Sequence, residues 1–156
     1  MTAAPGSTRP TPARTASTSV GPDQLREILR DTRTVAVLGA SDNPARPSNE
    51  VFGYLARHSH YRLYPVNPNV GDIDCVAAYR SLAELPVVPD MVDVFRRTDE
   101  LPAVLQEILA LHPLPKYLWL QQGLRDEQVA RAARDAGLTV VMDRCLKVDY
   151  ASLIGG

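Results

Sequence analysis

The chain is 156 residues long, 45% hydrophobic and 22% charged, with a formal net charge of −1, which describes one domain with room for a real core. Near-neutrality excludes bulk attraction to nucleic acid or to a membrane surface, and no apolar run approaches the ~20 residues that span a bilayer. Two cysteines, Cys75 and Cys145, are too few for a disulfide framework and read as reduced thiols, and the three histidines at positions 58, 60 and 112 lack zinc-type spacing.

Residues Met1 to about Val20 are rich in Ser, Thr, Ala and Pro, carry Arg9 and Arg14, and contain no acid. Such a segment buries too little to offset its ordering entropy, so residues 1–20 are expected to form a disordered tail and residues 21–156 the domain. A transit peptide shares this composition, but no amphipathic stripe is present. No secretory h-region exists, and a cytoplasmic location is expected.

A short helix is expected over Asp23–Asp31, with Pro22 before it. Strands follow at Thr34–Leu38, Arg62–Val66, Met91–Phe95, Lys116–Leu120 and Thr139–Met142. They are apolar on both faces, as strands of a covered parallel sheet are. Helices are expected between them at Ser48–His58, at Thr98–Leu111 with Thr98 as N-cap, and at Asp126–Ala136 closed by Gly137. In the less regular stretch Pro68–Pro89, Ala77-Ala78-Tyr79 reads as a small strand and Ser81–Leu85 as one helical turn. Alternating strands and helices predict an α/β fold with a doubly wound parallel sheet.

The loop between the first strand and the next helix is the most informative segment. It begins at the lone glycine Gly39 and runs through Arg46 to Ser48. A strand that feeds a helix N-terminus directs free N–H groups and the positive end of the helix dipole at one spot, which suits an anion. Neither G-x-G-x-x-G nor G-x-x-x-x-G-K-[ST] is present, so the usual dinucleotide fingerprint and the P-loop are both missing. Ser48 reads most simply as an N-cap, a role compatible with a phosphate contact.

Ligands of open α/β sheets bind outside the carboxyl ends of the strands. Asn67-Pro68, Arg96-Arg97, Gln121-Gln122-Gly123 and Asp143-Arg144-Cys145 follow the later strands at those ends. Arg96 and Arg97 are placed either for a ligand or for surface pairing with Asp99 and Glu100. Asn67 stands where a dinucleotide enzyme usually carries the acid that binds the ribose, which argues against NAD. Cys145 reads first as a small core residue; a nucleophilic role needs a cationic neighbour, and Asp143 opposes the field of Arg144.

Five motifs in order, G-A-S-x-x-P-x-R-P-S (Gly39–Ser48), P-V-N-P (Pro65–Pro68), D-V-F-R-R (Asp93–Arg97), W-L-Q-Q-G (Trp119–Gly123) and V-V-M-D-R-C (Val140–Cys145), resemble the small bacterial CoA-binding proteins. These are single-domain relatives of the CoA-binding domain of the succinyl-CoA synthetase alpha subunit. The resemblance covers Thr34 to about Ile154. It implies a Rossmann-like domain of five parallel strands in order 3-2-1-4-5, with coenzyme A across the carboxyl edge. It also implies a role for each motif. Gly39, Ala40, Ser41, Arg46 and Ser48 would cradle the diphosphate, and Asn67 and Pro68 would meet the adenosine end. Phe95, Arg96 and Arg97 would line the nucleotide or pantetheine path. Gln122 and Gly123 would border the pantetheine, with Asp143, Arg144 and Cys145 near the thiol. The family often has a glycine before the small Tyr-containing strand, at about Cys75 or Val76 here, and this chain does not.

The resulting expectation is a module that binds CoA or acyl-CoA as a carrier, sensor or accessory to a partner enzyme, or as a homo-oligomer, without catalysis of its own. Ligase chemistry in the larger relatives needs a phosphorylated histidine and further domains, and no histidine here sits in a matching motif. The alternatives are a small acyl-CoA or thiol enzyme acting through Cys145, or an NAD-linked oxidoreductase.

Overall fold

A computed structural model of the chain describes residues 20–155. Apart from Val20, the expected tail lies outside the described residues. The elements are α1 (Pro22–Asp31), β1 (Thr34–Leu38), α2 (Pro47–His58), β2 (Arg62–Val66), the short strands β3 (Asp72–Ile73) and β4 (Val76–Ala77), β5 (Met91–Val94), α3 (Leu101–Leu109), β6 (Tyr117–Leu120), α4 (Glu127–Asp135), β7 (Thr139–Val141) and α5 (Leu146–Tyr150), which runs on into a π-helical turn at Ala151–Gly155.

Five parallel strands form the main sheet in the order β2-β1-β5-β6-β7. This is the doubly wound topology expected, although the numbering differs from 3-2-1-4-5. Met91–Val94 pairs with β1 rather than lying outside β2, and the outer position is taken by Tyr79, which forms a parallel bridge to Val66. The Tyr79 segment therefore occupies the place of a third strand.

Strand alternation sorts the core into two layers. Ala36, Leu38, Val92, Val94, Leu118, Leu120 and Val140 face α3 and α4, meeting Leu101, Leu105, Ile108, Val129 and Ala133. Val35, Val37, Met91, Trp119 and Val141 face the other way, towards Leu25 and Leu29 of α1, Phe52 and Leu55 of α2, and Leu146 and Tyr150 of α5. This second face also carries a carboxylate, Asp93 of β5. Its strand register places it between Val37 and Trp119, fully buried, and neither carboxylate oxygen has a hydrogen-bond partner.

The helix ends refine the expected boundaries. Asp126 is the N-cap of α4, accepting from the Gln128 and Val129 N–H groups at 3.0 Å each, and Gly137 follows the helix at φ +112. Thr98 does not cap α3. Thr98–Glu100 is a 3₁₀ turn that leads into it, because Pro102 suits the start of an α-helix and not its interior. β3 and β4 form a hairpin whose two turn residues, Asp74 and Cys75, have φ +50 and +66. That is the backbone of a turn that favours glycine, at the position where the chain lacks the glycine of its look-alikes.

The carboxyl edge is tied across its whole width by backbone bonds beyond the strand ends. The Asn67 N–H donates to Tyr79 O (2.8 Å), Gly39 to Val66 (2.9 Å), Phe95 to Leu38 (2.8 Å), Gln121 to Val94 (3.4 Å) and Arg144 to Leu120 (3.3 Å).

Candidate functional site

At this edge lies a cavity of about 840 Å³. Of the residues singled out from sequence, Gly39, Ser41, Arg46, Ser48, Asn67, Phe95, Arg96, Arg97, Gln122 and Cys145 line it. Ala40, Pro68, Gly123, Asp143 and Arg144 do not.

The β1–α2 loop forms one wall. Gly39 has φ +90, and a Cβ on it would sit 2.0 Å from the Phe95 carbonyl oxygen. Its N–H is engaged by Val66, so this glycine serves close packing between β1 and β5 rather than donating to an anion. Beyond it the loop is internally bonded. Asn43 N–H donates to Ser41 Oγ (3.0 Å), Ala45 N–H to Asn43 Oδ1 (2.9 Å), and Asn49 Nδ2 to the Ser41 carbonyl (2.9 Å).

Arg46, not Ser48, is the N-cap residue of α2; its backbone is extended and Pro47 follows at the first helical position. Ser48 sits inside the first turn, 3% exposed, and its N–H has no backbone acceptor among the described residues. The helix end is an electropositive spot, and the Arg46 guanidinium, exposed at its mouth, has no ion pair among the described residues.

The two β5-exit arginines differ. Arg97 is 78% exposed and pairs with Asp99 and Glu100 (3.3 Å each), the surface pairing the sequence left open. Arg96 is half-buried; Nη1 lies 3.6 Å from Glu100, and its buried Nε has no partner. Asn67 braces the floor, donating from Nδ2 to the Ala40 carbonyl (2.7 Å) and accepting from Asn69 N–H (2.8 Å).

On the far side, Arg144 turns away from the cavity into a two-point bond with Asp149 (2.6 and 2.9 Å), which holds its pKa above the usual value. Asp143, at φ +60, accepts from the Gly123 N–H (2.7 Å) and ties the β6 and β7 loops together. These residues shape the edge without facing the cavity. Cys145 does face it, half-buried at the N-cap of α5, and both cysteines are free thiols.

Sequence reasoning missed Glu50, Leu124, Lys147 and Val148 in the lining. Lys147 bonds Glu50 at 2.6 Å and lies 5.6 Å from the Tyr54 ring centre. The bond lowers the Glu50 pKa and raises that of Lys147. It ties α5 to α2, and both residues line the cavity. Lys147 and Val148 sit on a helix of five residues, too short to read from periodicity. Gln121 stood at the strand end in W-L-Q-Q-G without an assigned role, and it lines the cavity together with Gln122.

The sequence profile of the family described as CoA binding domain matches residues 33–151. The chain belongs to that family. It is 38% identical over 128 residues to the uncharacterized protein YneT of Bacillus subtilis, covering 82% of this chain and 93% of that one. The solved structure of cell-free ID.343 from Thermus thermophilus is 39% identical and superposes with a TM-score of 0.80, covering 86% of this chain and all (100%) of that one. A shorter match, 37% over 67 residues, links it to the alpha subunit of the ADP-forming acetate–CoA ligase II of Pyrococcus furiosus; it covers 43% of this chain and 15% of the ligase subunit. The family is thus related to acyl-CoA synthetase subunits. No helix among the described residues is long and apolar enough to cross a membrane.

Proposed function

We propose that this chain binds coenzyme A, free or acylated, along the carboxyl edge of its sheet, and acts as a carrier, sensor or accessory module rather than as a catalyst. The observation that carries this reading is the cavity itself. Its lining brings together the α2 N-terminus, Arg46, which has no ion pair among the described residues, Arg96, Gln121 and Cys145. CoA is long and multiply anionic at its nucleotide end, and uncharged along its thiol-bearing arm. A cavity whose lining combines cations and a helix end with neutral donors and apolar side chains suits a ligand of both characters. Charge-assisted hydrogen bonds contribute roughly 1.5–3 kcal/mol each, and two or three of them support micromolar binding, about −8 kcal/mol, after association costs.

Calorimetry with CoA, acetyl-CoA, NAD and ATP tests the reading. CoA is expected to bind in the micromolar range and NAD more weakly; tighter binding of NAD overturns it. Arg46→Ala is expected to weaken CoA roughly tenfold, the loss of about 1.4 kcal/mol, with an unchanged melting curve. Affinity equal to wild type would remove Arg46 from the cradle.

A second reading, a thiol or acyl-transfer enzyme, draws on one observation: Cys145 lines the cavity. Cys145→Ala with undiminished turnover of an acyl-CoA excludes it. The match to a ligase subunit favours service to a partner enzyme, which co-purification tests.

A further inference from the structure

The cavity lining holds the cations Arg46, Arg96, Arg97 and Lys147 together with the acids Glu50 and Glu100. Both acids are engaged. Glu100 lies 3.6 Å from Arg96 and 3.3 Å from Arg97, and Glu50 lies 2.6 Å from Lys147. Of these cations, only Arg46 has no carboxylate partner among the described residues. The groups that attract an anion are therefore largely neutralised by side chains of the same lining.

The Lys147–Glu50 pair is the one suited to changing partners. Glu50 belongs to the first turn of α2 and Lys147 to α5, so the bond sets the ammonium beside the electropositive helix end. Lys147 carries three N–H donors on a flexible stem, and the Glu50 bond is its one hydrogen bond among the described residues. Glu50 is 66% exposed, so a released carboxylate passes straight into water, whereas Lys147 is 30% exposed and stays in the lining. Glu100 differs, because it holds two arginines at once.

We propose that Glu50 is a specificity-determining residue that stands in for a ligand anion: a phosphate of the bound molecule takes Lys147 from it. This rests on the CoA reading and deepens it. A small monoanion gains little by replacing one carboxylate with another, and an uncharged compound gains nothing. A ligand with several phosphate charges gains the surplus. Glu50 thereby sets how much negative charge a ligand must carry to be held.

The test is calorimetry with CoA and dephospho-CoA on wild type, Glu50→Gln, Lys147→Met and the double variant, with a melting curve for each. Glu50→Gln is expected to bind CoA roughly fivefold more tightly, on the scale of one exposed ion pair, and Lys147→Met roughly fivefold more weakly. In the Lys147→Met background the gain from Glu50→Gln is expected to shrink below about twofold, because Glu50 acts through Lys147. Equal gains for CoA and dephospho-CoA assign the anion to the diphosphate; a gain confined to CoA assigns it to the 3′-phosphate. Should Lys147→Met not fold, Lys147→Gln, which keeps a donor for Glu50 without the charge, gives the same comparison. Unchanged or weaker CoA binding by Glu50→Gln makes the pair a strut between α2 and α5 and overturns the proposal, with the CoA reading intact. A gain of the same size in both backgrounds reduces Glu50 to plain repulsion and overturns it as well. Wild type that binds neither compound overturns both readings.

Discussion

At Gly39 a single methyl group decides how closely β1 and β5 approach. A side chain there meets the Phe95 carbonyl at 2.0 Å, at a backbone φ of +90. Gly39→Ala combines a left-handed backbone penalty with overpacking against main chain, together about 2–5 kcal/mol. Its urea midpoint is expected to fall accordingly, and a midpoint within error of wild type would show that the strand exits relax freely. This glycine stood out in the sequence as the start of an anion loop. The reason the structure gives for it is different, since its N–H is held by Val66. The residue was legible and its task was not, because the contact that requires glycine comes from Phe95, 56 positions later in the chain.

Among the elements, β5 carries the largest internal conflict. Asp93 sits in a strand otherwise made of Met91, Val92 and Val94, fully buried and unpartnered, and desolvation raises its pKa well above the usual carboxylate value of 3.8. The folded state therefore holds this proton more tightly than the unfolded chain. The contribution of Asp93 to stability is fully present below about pH 3.8 and is lost as pH rises through the folded-state pKa. Asp93→Asn removes that dependence. Measured by urea unfolding, the stability of the variant relative to wild type is expected to improve between pH 4 and pH 8, and an equal difference at both values contradicts it. The five main strands were readable as short apolar runs, and α1 to α4 because each repeats an apolar period over two turns or more. α5 spans only Leu146–Tyr150, and the β3–β4 hairpin has two residues per strand. Elements of that length carry no period, so Lys147 and Val148 entered the cavity unannounced. The cap of α2 fell on Arg46 instead of Ser48 because Pro47, with no N–H to lose, fits the first helical position.

For the whole molecule, the sheet's two apolar layers leave the carboxyl edge as the place where polar groups gather, and that edge is not a set of free loops. Gly39, Asn67, Phe95, Gln121 and Arg144 all donate to the neighbouring strand or segment. Their amides are expected to exchange with solvent as slowly as those of the strands themselves; rapid exchange, on the timescale of surface turns, would refute the picture of a bonded rim. The stitching also means that a guest does not have to assemble its host. Ordering of loops opposes association in mobile sites, and little of it remains to be done here. Side chains fixed to such a rim can be exchanged one at a time without redrawing the frame that carries them.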